Sequence, residues 1–234
     1  TPDCLDQGPA LVYLPCQELP GHEDALRRWA QAYPDIGFGV VLPRVVWDRE
    51  LPRLRRELEA ARQAGVTQAL LGHIGQLPLA RSFGLIPRGD FGLGLTNDET
   101  AAELARLGFA SATASFESRL AQIRDLSKPL DLELLVYGRL PLMLMEHCIL
   151  RNRGQGCHCQ DKPQSLGDRK GEHFPVESAW GCRNELFNAK PLWLADKTDW
   201  RTAGAAYARL AFLREGPGEC ARVFRAYREG AGAP

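Results

Sequence analysis

An α/β protein built on a TIM-barrel-like (βα)8 sheet, or a close variant of it, is the fold class this chain predicts. Three observations carry the expectation. Six short apolar runs recur at intervals of about 20 to 30 residues, and a helical pattern follows each of the first five. A further apolar run, Tyr207 to Leu213, and a last helical pattern, Gly218 to Arg228, bring the strand count to seven or eight. The 234 residues suffice for such a barrel with little length to spare. A doubly wound open sheet is the alternative that the same strand count allows.

Taken in order, Ala10 to Leu14 reads as the first strand, bounded by Pro9 and Pro15. Glu23 to Ala32 is helical, because Ala25, Leu26, Trp29 and Ala30 recur at helical spacing. Ile36 to Leu42 is the second strand, stopped by Pro43. Leu51 to Ala64 is an amphipathic helix with Leu51, Leu54, Leu58 and Ala61 on one side and Gly65 as its C-cap. Gln68 to Gly72 is the third strand, and Gln76 to Phe83 a short helix. The Gly/Pro-rich GLIPRG reads as a link and Asp90 to Leu95 as the fourth strand. Asn97 opens a helix that ends near Leu107. Ser111 to Ser115 is a weak strand, Arg119 to Leu126 a short helix, and Leu132 to Tyr137 the strongest strand in the chain. Asn188 to Leu194 is apolar without a periodicity that decides its class.

Composition narrows the function classes. The hydrophobic share is 44% and the charged share 25%, ordinary for a globular domain. Lys plus Arg equals Asp plus Glu at 29 each, so no global charge draws the chain to nucleic acid or to a membrane surface. A local basic patch is still compatible with that balance. There is no apolar run near the roughly 20 residues that span a bilayer, and no signal segment. The expectation is a cytoplasmic protein with no membrane partner. Thr1 is not an initiator methionine, so the chain reads as a piece of something longer. In a reducing compartment seven cysteines point to metal or redox chemistry before disulfides. Cys4, Cys16 and Cys220 stand alone in sequence and read as small buried or partly exposed residues.

The chemistry-bearing stretch runs from Glu133 to Arg183. It holds Cys148, Cys157, Cys159 and Cys182, spaced C-x8-C-x-C-x22-C. Three thiolates on one loop and a fourth on a later turn suit tetrahedral zinc or an iron–sulfur cluster, both soft-ligand sites. The spacing is neither a zinc-finger pair nor a ferredoxin run, and unligated thiols with a stray disulfide are the bland alternative. His147 and His158 stand beside these cysteines as substitute ligands. In a barrel, chemistry gathers where strands end. Arg44, His73, Asn97, Glu117 and Arg139 all fall at expected strand ends, whereas Asp90 falls at a strand entry. Arg139 could clamp an anionic substrate group, or pair structurally with Glu117 or Glu146. Asp168 to Gly171 reads as a tight turn. There is no HExxH helix, no G-x-S-x-G elbow and no dinucleotide-binding glycine spacing.

The blocks VYGRLPLMLMEHC and DRKGEHFPV, with Cys182-Arg183 and Asn188, resemble the peptidase U32 family, most closely the C-terminal module of its long members. LPR at 42 to 44, LGHIGQL at 71 to 77, GDFGLGLTN at 89 to 97, TASFES at 113 to 118 and the segment from Tyr207 to Tyr227 echo that family in its order. The resemblance implies one barrel domain over residues 1–234 with a cysteine-rich insertion at 140–187. It implies an iron–sulfur cluster, 4Fe-4S, on Cys148, Cys182 and one or both of Cys157 and Cys159, where the spacing alone leaves zinc equally open. Placement at strand ends makes Arg139 and Glu117 the candidate catalytic residues of such a module, with Asn97, Tyr137 and Arg183 as its substrate contacts. The implied activity is hydroxylation of an RNA base, in ribosomal or transfer RNA, or of a quinone precursor. A peptidase, as the family label says, and a non-catalytic zinc-stapled binding module are the alternatives. RNA and the rest of a longer U32 chain are the implied partners. His73, Gly94, Phe116 and Pro141 depart from the family pattern.

Overall fold

Residues 2–151, 163–197 and 199–229 are described by the computed structural model. The chain divides into two units, one formed by 1–136, 194–210 and 215–234, the other by 137–193 and 211–214.

The first unit begins with a short helix α1 (Pro2–Leu5) and then alternates strand and helix. The strands are β1 (Leu11–Pro15), β2 (Gly37–Val41), β3 (Gln68–Leu71), β4 (Ile86–Gly89), β5 (Ser111–Thr113) and β6 (Asp131–Gly138). The helices between them are α2 (Glu23–Ala32), α3 (Leu51–Gln63), α4 (Leu77–Ser82), α5 (Asp98–Arg106) and α6 (Leu120–Asp125). β1 to β6 pair in sequence order and every pair is parallel. That is the expected α/β pattern, in which each crossover helix covers one sheet face.

Side-chain alternation sets what each face buries. Phe38, Val40, Ala69 and Leu71 are buried at alternate strand positions, and α3 contributes Leu54, Leu58 and Ala61, all at most 2% exposed. Helices α3, α4 and α5 end in the same way. Gly65, Gly84 and Gly108 take positive φ of 99°, 69° and 72°. The next residue donates back five positions, Val66 to Ala61, Leu85 to Ala80 and Phe109 to Leu104, and is itself buried. These are Schellman caps with their hydrophobic contact.

One expected strand is corrected. Asp90 to Leu95 is not a strand; β4 lies earlier, within the stretch that reads as a link. Pro87 disguises it, yet its carbonyl accepts the Ala110 amide in the β4–β5 ladder. After β4 the Asp90 side chain caps the Phe91 amide at 2.9 Å and the chain makes a 3-10 turn over Phe91–Leu93. Asp90 therefore stands at the exit of its strand.

Side chains show that the sheet curls. Six strands spaced about 4.8 Å apart would hold β1 and β6 roughly 24 Å from each other if flat. Instead the Tyr13 hydroxyl on β1 donates to Glu133 Oε1 on β6 at 2.7 Å. The barrel-like curvature is real, and among the described residues the ladder leaves β1 paired with β2 alone.

The second unit is largely antiparallel β-structure. Strands β7 (Pro141–Met145), β8 (Gln164–Gly167), β9 (His173–Ala179) and β10 (Arg183–Phe187) form a sheet in the order β7-β10-β9-β8. The Asp168 to Gly171 turn joins β8 to β9, with Asp168 Oδ1 accepting the amides of Lys170 at 2.7 Å and Glu172 at 3.0 Å. β11 (Leu192–Trp193) pairs antiparallel with Gly138 and Tyr137 at the end of β6. The insertion expected at 140–187 falls within this unit, while Cys157, His158 and Cys159 lie outside the described residues. The chain then returns through β12 (Tyr207–Ala211), which pairs with β6, to a closing helix α7 (Pro217–Glu229). No helix among the described residues is long and apolar enough to cross a membrane.

Candidate functional site

Inside the curl of the first unit the strands carry charge where a barrel would carry Val and Leu. Arg88 on β4, Ser111 and Thr113 on β5, and Glu133 on β6 are buried, and Arg209 on β12 has 17% of its side chain exposed. Parallel register places Arg88 beside Ser111, and Thr113 beside Glu133. Buried charges persist only when paired, and these are. Glu133 Oε1 accepts from Tyr13, from Ser111 and from Arg88, the last at 3.4 Å. Arg88 also donates to Ser111 at 2.8 Å and through Nε to Gln68, and its guanidinium lies 5.0 Å from the Tyr207 ring centre.

A second pair lies at the strand exits. Arg209 Nη1 donates to Asp90 Oδ1 at 2.6 Å and to Thr113 Oγ1 at 3.2 Å, and Thr113 passes the chain on to the Gly89 carbonyl at 3.0 Å. The Arg209 guanidinium lies 5.2 Å from the Tyr13 ring centre. Its Nε and Nη2 donate to no group among the described residues. Backbone geometry makes the room: a Cβ at Gly39 would come within 2.8 Å of the Tyr13 ring.

These groups hold definite charge states. Burial works against the Arg88 and Arg209 charges, but neighbours more than offset it. Those neighbours are Tyr207, Tyr13 and Glu133 for Arg88, and Asp90 and Glu133 first for Arg209. Burial, and then the negative Glu133 beside it, raises the Tyr13 phenol, which stays a neutral O–H donor at physiological pH. The cluster thus holds a carboxylate, a phenol that donates to it, and a guanidinium whose Nε and Nη2 meet no acceptor among the described residues.

An aromatic stack stands at the ends of the neighbouring strands. Arg44, after β2, holds its guanidinium 5.4 Å from the Phe91 ring centre, and Phe91 tilts against Phe116 at 5.2 Å. Gln76 Nε2 donates to the Pro43 carbonyl at 2.5 Å and ties the loops after β2 and β3 together. A Cβ at Gly92 would lie 2.5 Å from the Gly72 carbonyl oxygen, so only glycine lets the loop after β4 close onto its neighbour.

The residues singled out by sequence take varied places. Asn97 is exposed and caps α5, accepting the Thr100 amide at 2.9 Å. Glu117 is exposed after β5, and His73 Nδ1 accepts the Gly75 amide at 3.0 Å. In the second unit Arg139 donates to the backbone carbonyls of Asn188, at 3.0 Å, and Ala189. Tyr137 is buried against Trp193 and Phe212, with ring centres 5.8 and 5.4 Å away. Arg183, 1% exposed, forks onto both Glu146 oxygens at 2.5 and 3.1 Å and donates to the Trp180 carbonyl at 3.1 Å.

That fork brings two of the four cysteines to one end of the β7–β10 pair. Asn184 opposes Met145 in the ladder and its Oδ1 accepts the Ile149 amide at 2.8 Å, so Cys148 and Cys182 flank the same bracket. Cys182 is exposed, and its φ of 62° makes it the single non-glycine residue with positive φ among those described. Two soft donors held at one sheet end, one of them on a strained backbone, fit a thiolate-bound metal or cluster. Cys157 and Cys159 are outside the described residues, and among those described no group of three or more ligands forms.

Comparison with solved structures bears on the fold as well. This chain is similar to a solved structure described as "The Structure of the U32 Peptidase Mk0906". The match has 16% sequence identity and a TM-score of 0.44, and covers 57% of this chain and 63% of that one. No family model and no curated protein matches the chain.

The interior cluster is what sequence reading missed. Its signal was present: Arg88, Glu133 and Arg209 each interrupt a short apolar run, and charged side chains are rarely buried unless paired. Which strands face each other across the curl is the missing information.

Proposed function

We propose that the chain is a U32-type module acting on an RNA base, with its chemistry centred on the charged cluster inside the first unit. The observation that carries this reading is Arg209, whose Nε and Nη2 have no acceptor among the described residues and lie beside a neutral Tyr13 hydroxyl and the Glu133 carboxylate. A base taken out of its stack is read by hydrogen bonds to its edge and held by stacking on aromatic or guanidinium planes. The cluster supplies donors and an acceptor, and the Arg44, Phe91 and Phe116 stack supplies planes. Hydroxylation replaces a ring C–H with C–OH, so an oxygen-atom donor, dioxygen or a hydroxylated organic compound, is consumed from outside the chain. Arg209 would orient an electronegative ring substituent, Glu133 would keep Tyr13 and Arg88 aligned, and Tyr13, its O–H donated to Glu133, would offer its oxygen as an acceptor.

A metal ion or iron–sulfur cluster belongs to the second unit in this reading, on Cys148 and Cys182 with Cys157 and Cys159. When bound, it would supply electron transfer or Lewis acidity. The YGRLPLM block supports the family assignment. Cytoplasmic location and association with the remainder of a longer U32 chain belong to the same proposal.

Mass spectrometry of nucleosides from ribosomal and transfer RNA tests it. Cells deleted for the gene should lack one hydroxylated base, restored by the wild-type protein and by neither Arg209→Met nor Glu133→Gln at matched folded levels. An unchanged nucleoside inventory sinks the proposal. So does gelatin hydrolysis by the purified protein that Glu133→Gln abolishes, which would install the peptidase reading instead.

A further inference from the structure

We propose that the loop after β2 is a stacking platform for single-stranded RNA flanking the modified base, with Trp47 and Arg49 holding a neighbouring nucleotide. The choice of partner rests on the RNA-base reading. Large apolar side chains gathered at one exposed place mark a docking surface, whereas scattered ones do not. Val45, Trp47 and Ile74 are exposed, Trp47 by 49%. They stand on the loops after β2 and β3, which the bond from Gln76 to the Pro43 carbonyl ties together. Arg44 links this surface to the aromatic stack. A Cβ at Gly72 would meet Arg44 Cγ at 3.0 Å, so the Arg44 stem covers the exit of β3, and its guanidinium lies 5.4 Å from the Phe91 ring centre. Three residues of chain reach at most about 11 Å, which keeps Trp47 beside Arg44.

Charge and ring geometry select the partner. The whole chain is neutral, yet residues 43–56 carry Arg44, Arg49, Arg53, Arg55 and Arg56 against Asp48 and Glu50. Arg53 pairs with Glu57 at 2.9 Å, while Arg55 and Arg56 are exposed on the first turns of α3. An apolar protein segment would desolvate these guanidiniums without a counter-charge, whereas a phosphate backbone neutralises them. The Arg49 guanidinium lies 5.8 Å from the Trp47 ring centre, the same kind of pair that Arg44 makes with Phe91. Aromatic rings beside guanidiniums are planes on which bases stack whatever their sequence. Trp47 is also held in advance: its amide donates to Glu50 Oε2 and its carbonyl accepts the Glu50 amide, both at 2.8 Å. Little backbone order is then lost on binding. Bases in a duplex are already stacked on each other, so the platform selects a single strand.

Fluorescence anisotropy of a short labelled single-stranded RNA titrated with the full chain is the test. All the substituted positions are exposed, so the variants keep the fold. Trp47→Ala should weaken binding about tenfold, and Trp47→Phe, which keeps a ring, should recover most of the loss. Changing Arg55 and Arg56 together to Gln should lower the log–log salt slope by about 1. Arg222→Gln, on α7, should bind as wild type does. Wild-type protein that leaves the strand unbound at low salt, a duplex that competes as well as the single strand, Trp47→Ala at wild-type affinity, or an equal loss in Arg222→Gln would each overturn the proposal. Nucleoside mass spectrometry keeps the two readings apart. A hydroxylated base lost from deleted cells, with Trp47→Ala binding unimpaired, removes the platform alone. An unchanged nucleoside inventory with Trp47-dependent binding removes the base chemistry and leaves the platform standing.

Discussion

Cys182 sits in the left-handed region at φ 62°, a conformation that costs a side-chain-bearing residue about 1 kcal/mol relative to glycine. Cys182→Gly and Cys182→Ala both delete the thiol, so comparing them isolates the backbone. The glycine variant should be more stable than the alanine variant by about 1 kcal/mol in urea melts, and both should lower bound metal in anaerobic preparations. If the two variants melt together, the strain is not there. The titrating side chains make a second prediction. Burial, then Glu57, raises the Cys16 thiol, Cys220 reaches about 11, and Tyr13 lies above its usual 10.0. In each case the unfolded chain loses its proton first, so stability is complete below the unfolded value and falls as pH rises past it. Unfolding free energy should therefore decline from about pH 9 upward, first through the two cysteines and beyond pH 10 through Tyr13. Replacing Cys16 and Cys220 by serine should flatten the first part of that slope, and an unchanged slope would contradict the assignment.

Elements differ in how much their sequence announces. The caps after α3, α4 and α5 are readable, because a glycine follows each apolar helical pattern and a buried residue follows the glycine. Strand β4 was hidden by Pro87, since a proline argues against a central strand until the ladder is seen to bypass its missing N–H. The two kinds of glycine predict different costs. Gly84 has open space where a Cβ would stand and pays only for its positive φ, so Gly84→Ala should lose about 1 kcal/mol. At Gly138, in the YGR motif, φ is 127° and a Cβ would lie 2.2 Å from the Ala211 carbonyl oxygen. Gly138→Ala should cost about 3 kcal/mol or more, since rigid backbone and not a flexible side chain stands in the way. Chemical denaturation of the two variants side by side measures the gap, and similar losses would refute it.

At the scale of the whole molecule, the chain is two units with different cores. The first is an α/β sheet with helices over its outer face, and the second is an antiparallel sheet with Cys148 and Cys182 at one end. A metal held by that end would stabilise the second unit by mass action and leave the first untouched. Calorimetry of metal-loaded protein should show a chelator lowering one transition and sparing the other. A chelator that moves neither, or both equally, would remove the metal from the second unit.

Local sequence was enough for the α/β class, for helices α2 to α7, for the strands of the first unit other than β4, and for the turn at Asp168 to Gly171, whereas β7 to β11 were not read from it. Those features depend on periodicity, capping and turn chemistry within a few residues of each other. It was enough, too, to single out the cysteine-bearing stretch and its motif. Only the tertiary structure could bring Tyr13 to Glu133 and Arg209 to Asp90, because each pair lies on elements far apart in the chain. Curling of the sheet and packing of α1 on α7 are properties of the assembled core, and no short window of sequence records them.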